Sequence, residues 1–190
     1  QVFDANGTFL RKWGSYGSGD NQFHNPTGIT IGSDNLGYVA SINHSKVKVF
    51  QKDGTPVRSF STINKPFGIC VLGNRIAIGH GDNYAVRIFE NNGTEVSYIG
   101  GYGTDDGKFN KPYFVASDGS GNLLVADSEN DRIQKFNAAG TFLSKFGFLA
   151  KAAFTPQDLL VKPNGNLLFS ESNGDRIIEM DENGTLIRQF

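Results

Sequence analysis

Short β-prone apolar runs, broken every few residues by glycine-bearing turns, set the pattern of this chain. The opening residues QVFDANGTFLRKWG (1–14) read as two such runs around Asn6-Gly7. The same hairpin returns as VFQKDGTPVRSF (49–60), IFENNGTEVSYIG (88–100), KFNAAGTFLSKFG (135–147) and EMDENGTLIRQF (179–190). Asn-Gly and Asp-Gly are expected here to supply the positive φ of two-residue hairpin turns. Between the hairpins a proline heads each of PTGITI, PFGICV, PYFVAS and PQDLLV. Proline is tolerated at the start of a strand because its missing N–H is not needed there.

The recurrence is the decisive feature. The turn glycines Gly7, Gly54, Gly93, Gly140 and Gly184 are spaced by 47, 39, 47 and 44 residues, and Pro26, Pro66, Pro112 and Pro156 by 40, 46 and 44. Each unit holds four strand-like runs; in the third they are FVAS, LLVADS, RIQKF and TFLSKFG, with DGSGN (118–122) as the first turn. Four antiparallel strands per 40–47 residues mark the blades of a β-propeller. The inner runs, such as ICV (69–71), LLV (123–125) and LLF (167–169), are continuously apolar, as strands covered on both faces should be. Ile29, Ile69, Val115 and Leu159 take equivalent places after the prolines.

The proline-headed strand, the motif Asp127-x-x-Asn130-x-Arg132-Ile133, the Gly-Thr-Phe-Leu hairpin and the linkers GSYGSGDNQFHNPTGI and GGYGTDDGKFNKPYFV together resemble the NHL repeat over essentially the whole chain. The Asp-x-x-Asn-x-Arg set is complete only in the third unit: the Asp127 position carries Ser41, His80 and Glu171 elsewhere, and Gly28 and Gly68 become Phe114 and Asp158. The expected fold is all-β. An outer hairpin of a preceding blade (1–14) is followed by blades at 15–60, 61–100, 101–147 and 148–190, eighteen strands or four and a half blades. The resemblance implies a six-bladed ring. The chain is therefore expected to be a piece of a longer one, and open blade edges make self-association an expectation as well.

Composition agrees with a β fold: 24 glycines and 16 phenylalanines stand beside a single methionine. The net charge of −1 gives no global field toward nucleic acid or an anionic membrane. No apolar run is long enough to span a bilayer as a helix. The one cysteine, Cys70, lies in FGICVLG and reads as a buried, inert thiol. Compartment is left unassigned. Four Asn-x-Ser/Thr sequons start at Asn6, Asn43, Asn92 and Asn183; turn chemistry already explains the three in hairpins.

Strand alternation puts the linkers into each unit on the same end as the loops between second and third strands. These top loops vary from blade to blade, and a rigid scaffold with variable loops is where recognition sits. They offer Tyr16, His44, Lys46, His80, Tyr84, Tyr102, Arg132 and Arg176 as candidates for contacting a partner. Phe23 and Phe109 are expected to pack under their loops, and Asp127, Asn130 and Arg132 to tie adjacent blades together. The reading is a non-catalytic platform for a protein or peptide. The resemblance also implies an RNA-binding alternative, as in NHL domains of ubiquitin-ligase-type proteins. The top segments, however, carry seven Lys and Arg against nine Asp and Glu, a poor match to phosphate. Amidating lyases are similar propellers that hold zinc with three histidines. This chain has His24, His44 and His80, none expected on an inner strand and two from one unit, so a zinc-dependent lyase-like reading ranks last. No metal, cofactor or catalytic set is assigned.

Overall fold

A computed structural model describes residues 1–147, 155–172 and 174–190. Its strands fall into four antiparallel four-stranded sheets, a leading hairpin and one small parallel pair. The hairpin is β1 (Val2–Phe3) with β2 (Phe9–Arg11), and the parallel pair is β3 (Ser15–Tyr16) with β4 (Gln22–Phe23). Blade 1 is β5 (Pro26–Ile31), β6 (Gly37–Ser41), β7 (Lys46–Phe50) and β8 (Pro56–Ser61). Blade 2 is β9 (Ile69–Leu72), β10 (Arg75–His80), β11 (Ala85–Glu90) and β12 (Glu95–Gly100). Blade 3 is β13 (Pro112–Ser117), β14 (Leu123–Asp127), β15 (Arg132–Phe136) and β16 (Phe142–Gly147). Blade 4 is β17 (Pro156–Val161), β18 (Leu167–Glu171), β19 (Arg176–Met180) and β20 (Leu186–Gln189). The described residues thus hold twenty strands where the hydrophobic pattern predicts eighteen. The extra two, β3 and β4, are two-residue runs inside a glycine-rich linker, too short to carry a period.

The core lies between blades. Residues alternate sides along each strand, so every blade sends one apolar set forward and one back. Tyr38, Ala40, Val47 and Val49 of blade 1 meet Ile69, Ile76, Ile78 and Phe89 of blade 2. Cys70, Ala77, Val86 and Ile88 meet Val115, Leu123, Val125 and Phe136. Ala116, Leu124, Ile133 and Phe146 meet Leu159, Leu167, Phe169, Ile178 and Met180. Burial pushes the Cys70 thiol up to about 12, so it stays a protonated packing group. Backbone hydrogen bonding also crosses the interfaces: Gly68 N–H donates to Tyr113 O at 2.8 Å. The four first strands line a central cleft of about 390 Å³.

The hairpin turns differ from the expected two-residue type. Gly7, Gly54, Gly93, Gly140 and Gly184 have positive φ, whereas the residue before each does not. Gly7 N–H donates to Asp4 O, while Asp4 Oδ1 accepts from the N–H groups of Asn6 and Thr8 at 2.9 and 2.8 Å. Asn137 and Asp181 do the same in their hairpins. The result is a longer turn closed by a glycine, with a register shift in the third strand of each pair. Only one residue then needs positive φ, which is why Ala139 is accepted in Asn137-Ala138-Ala139-Gly140. Each later turn glycine also lies against a large side chain that precedes it in the ring: Gly54 on Trp13, just after β2, and Gly93, Gly140 and Gly184 on Phe60, Ile99 and Phe146 of the preceding blades' outer strands.

Candidate partner-binding face

Linkers and second-to-third-strand loops share one end of the molecule. Ile42 and Asn43 N–H groups donate to Asn25 O and His24 O; Ser128 and Glu129 do so to Lys111 O and Asn110 O; Ser172 does so to Thr155 O. A 3-10 turn follows the second strand in blades 1 to 3, at 42–44, 81–83 and 128–130. Ser45, Tyr84 and Asp131 cap these turns in the left-handed region. For the bulky Tyr84 that backbone is unusual, and it fixes where the ring goes.

Blade 3 carries the most complete polar network. Asp127 is fully buried. Its Oδ1 accepts Asn110 N–H at 2.6 Å, and its Oδ2 accepts Asn130 Nδ2, Arg132 Nε and Gln134 Nε2 at 2.9, 2.8 and 3.1 Å. Arg132 also donates to Thr104 O, Asp105 O and Lys108 O, and Asn130 to Gly103 O. All these carbonyls belong to the linker entering the same blade. The set expected to join adjacent blades instead clamps a loop onto its own blade, because the linker folds back over β14 and β15. Next to this set, Ser128 makes a polar contact with the following blade, its Oγ donating to Pro156 O at 2.7 Å. Phe109 is the loop's apolar anchor, fully buried and edge-on to Phe136 at 5.7 Å; in blade 1 the half-buried Phe23 lies tilted on Phe50 at 5.4 Å. Blade 2 has the short linker STINK, and Phe60 stacks on Phe89 in that place.

The candidate residues separate into buried and exposed groups. Arg132 is buried with its donors engaged. His80 is fully buried and ends β10, a second strand, rather than lying in a loop. Its Nδ1–H donates to Asn64 O at 3.0 Å, its Nε2 has no partner among the described residues, and burial holds its pKa down at about 4. Arg176 donates to the buried Glu171 at 2.6 Å and to Gln189 at 2.9 Å. Lys46 is exposed at the start of β7. The top-loop segment 148–154, including Lys151, lies outside the described residues.

Two aromatic groups stand on the top. Tyr16, 77% exposed, is edge-on to His24 at 5.0 Å, and His24 is 5.9 Å from His44. Burial, with the charges of Lys48 and its neighbours, holds the His44 pKa below the usual range. Tyr102, 70% exposed, is edge-on to Tyr84 at 4.9 Å. Tyr16 and Tyr102 occupy the same place in Gly-x-Tyr-Gly segments of two linkers. Beside the second group, Lys111 and Lys65 grip Asp82 at 2.7 and 2.9 Å. Hydrogen bonds from Lys111 first, then Lys65, hold the Asp82 carboxyl down at about 2. Lys111 Nζ also sits 6.0 Å from the Tyr84 ring centre and 5.8 Å from that of Tyr113. Sequence reasoning did not place Lys111 or Tyr113 in the site. The available signal was Asn-Lys-Pro, recurring at 64–66 and 110–112, where both lysines have positive φ. Among the described residues no three His, Cys, Asp or Glu side chains converge as a metal site.

Repeated four-stranded blades around a central cleft define a β-propeller. Within that class, residues 109–136 match the NHL repeat, from the Phe109 anchor through Asp127, Asn130 and Arg132 to Phe136. The protein brain tumor of Drosophila melanogaster is 25% identical over 141 residues, covering 72% of this chain and 14% of that protein. The E3 ubiquitin-protein ligase TRIM71 of Xenopus tropicalis is 34% identical over 82 residues, 43% of this chain and 9% of that protein. The chain thus spans a small part of these relatives' length. Among solved structures, a chain of a nidogen/laminin complex superposes with a TM-score of 0.73 at 18% identity, over 88% of this chain and 64% of that one. A virginiamycin B lyase from Staphylococcus aureus with quinupristin gives 0.70 at 17% identity, over 90% and 58%. At these identities the superpositions show the fold alone. No helix among the described residues is long and apolar enough to cross a membrane.

Proposed function

We propose that this chain is a non-catalytic recognition platform that takes a protein or peptide segment across the top of blades 1 to 3. One observation carries the reading: Tyr16 and Tyr102 stand exposed at equivalent positions of two linkers, each ring braced edge-on by a second ring. Aromatic side chains held in place bring contact area at little entropic cost and dominate binding hot spots. Beneath them, Phe23, Phe109 and the Asp127–Arg132 clamp fix the loops, so little ordering is left for the binding step. His44 and Lys46 belong to the first contact group, and Tyr84 to the second. Asp82 bridges Lys65 and Lys111 and offsets one of their two charges, and the top segments carry more Asp and Glu than Lys and Arg, a poor match to a phosphate backbone.

A displayed peptide library selected on the chain, with counter-selection on the double variant Tyr16→Ala/Tyr102→Ala, tests this. Peptides that bind the parent and lose at least tenfold on the variant, at an unchanged urea midpoint, are expected. Equal binding to both proteins overturns the assignment of the rim. Salt-sensitive capture of a single-stranded RNA pool, with no peptide enriched, favours RNA as the ligand.

A further inference from the structure

At the end opposite the top, a cavity of about 470 Å³ opens between blades 3 and 4. Leu124, Phe146 and Leu167 give it an apolar floor, and Asp118, Lys135 and Glu182 stand around it. The same place between blades 1 and 2 is filled by the molecule itself. Tyr38 is fully buried there; its hydroxyl donates to Asp34 Oδ2 at 2.7 Å, and Arg58 Nη2 donates to that hydroxyl at 2.9 Å and to Asn91 O at 2.6 Å. The Arg58 guanidinium lies 5.9 Å from the centre of the Tyr38 ring. Strand register identifies the counterparts. Tyr38 faces Val49 as Leu124 faces Lys135, and Val49 faces Arg58 as Lys135 faces Ser144. Asn91 and Glu182 each stand two residues before a turn glycine. Blade 3 thus has a leucine in place of the tyrosine and a serine in place of the arginine, and blade 4 brings a carboxylate to the position of Asn91. Both replacements in blade 3 are shorter, so the room that a phenol ring and a guanidinium take up between blades 1 and 2 stays open between blades 3 and 4.

The charges around the cavity do not cancel. Asp118 is held by Lys135 at 2.9 Å and by Asn122 Nδ2 at 2.8 Å, and Lys162, also at the cavity, gives its ammonium to Glu179 at 2.8 Å. Glu182 has neither an ion-pair nor a hydrogen-bond partner among the described residues, and its Oε2 lies 3.8 Å from where a β-carbon on Gly165 would stand. One carboxylate is therefore left over beside an apolar floor. A pocket of this size with an apolar lining and few polar groups is suited to a small ligand. We infer that it takes a small organic cation built on an aromatic ring, such as an arylalkylamine. The ring lies on Leu124 and Phe146, in the room that Tyr38 fills between blades 1 and 2, and the cationic group meets Glu182 as Arg58 meets Asn91. The exposed Glu182 contributes selectivity for charge, while burial of the ring supplies most of the affinity. An anion would face the unpaired Glu182 with no free cation to offset it. The site lies at the far end of the blades from Tyr16 and Tyr102 and does not depend on the recognition proposed for them.

Tyramine, which joins a phenol ring to an ammonium group, is the probe, and p-cresol and n-propylamine are its separate halves. Titration followed by the amide signals of Gly119, Ser120 and Gly165 is expected to show tyramine binding about tenfold or more tighter than either half. Glu182→Gln, on an exposed turn, is expected to keep the urea midpoint and to bring tyramine down to the level of p-cresol. Leu124→Tyr supplies the ring from within, as blade 1 does, and is expected to remove binding of both tyramine and p-cresol; if that variant unfolds, Glu182→Gln decides. Tyr16→Ala/Tyr102→Ala is expected to bind tyramine as the parent does. The inference is overturned if tyramine shifts none of these amides, if p-cresol binds as tightly as tyramine, or if Glu182→Gln binds tyramine unchanged.

Discussion

Replacing Arg132 by alanine removes the cation at the centre of the blade 3 clamp. The side chain makes four hydrogen bonds, one to Asp127 and three to carbonyls of the linker 104–108. The three carbonyls sit on exposed residues and can turn to water, so each loss costs about 0.5–1.5 kcal/mol or less. Asp127 cannot, because it is fully buried; it keeps Asn110, Asn130 and Gln134 as donors but loses its counter-charge. Breaking a buried pair on one side costs about 3–5 kcal/mol, and the three surviving donors place this case near the lower end, about 3 kcal/mol. Arg132→Lys restores charge but not the fork, and should recover only part of the loss. Arg176→Ala in blade 4 is a built-in contrast. That guanidinium pairs with the buried Glu171 but is itself about one-third exposed, so water replaces it more readily and the cost is smaller. Urea denaturation read by circular dichroism gives the free energies, and amide exchange at Asn110 reports the clamp. A loss below about 1 kcal/mol for Arg132→Ala, with Asn110 still protected, would refute the buried-pair reasoning.

His80 makes stability pH-dependent in a defined window. Its folded pKa of about 4 lies below the ordinary 6.5, so its contribution is full above pH 6.5 and is lost as pH falls toward 4. The loss reaches roughly 3 kcal/mol, because a proton on Nε2 would find no acceptor. Urea midpoints of the parent and His80→Gln from pH 8 to 4.5 check this; equal slopes would reject it. Gly140→Val should cost more than about 2 kcal/mol, since it sets a β-branched residue at positive φ and presses on Ile99 at 3.0 Å, whereas Thr141→Ala stays within about 0.5 kcal/mol. Equal stability of the two variants contradicts the turn geometry. Phe109→Ala should lose about 3–5 kcal/mol and release the linker to protease, because its ring fills a fully buried site against Phe136. An intact, protected linker in that variant removes Phe109 as the anchor.

The order of strands in each blade, the place of every hairpin and the sharing of one end by linkers and second-to-third-strand loops follow from the sequence alone. Alternation and turn residues are local signals, and they repeat five times. Ile29, Ile69, Val115 and Leu159 are indistinguishable at that level, being equivalent apolar residues three places after a proline. Tertiary structure separates them, leaving Ile29 exposed and the other three buried, because burial depends on whether a neighbouring blade covers the face. The same holds for the clamp. Asp127, Asn130 and Arg132 form a recognisable motif, but only folding shows that they hold their own linker, since a guanidinium reaches whichever carbonyls the chain brings within hydrogen-bond distance. His80 stands at the Asp127 position of its blade and becomes buried with one nitrogen unpaired. The Lys65–Asp82–Lys111 bridge joins residues from two linkers and a loop. Sequence dictated the periodic backbone; contacts between segments far apart in the chain decided which side chains are buried, paired or left exposed for a partner.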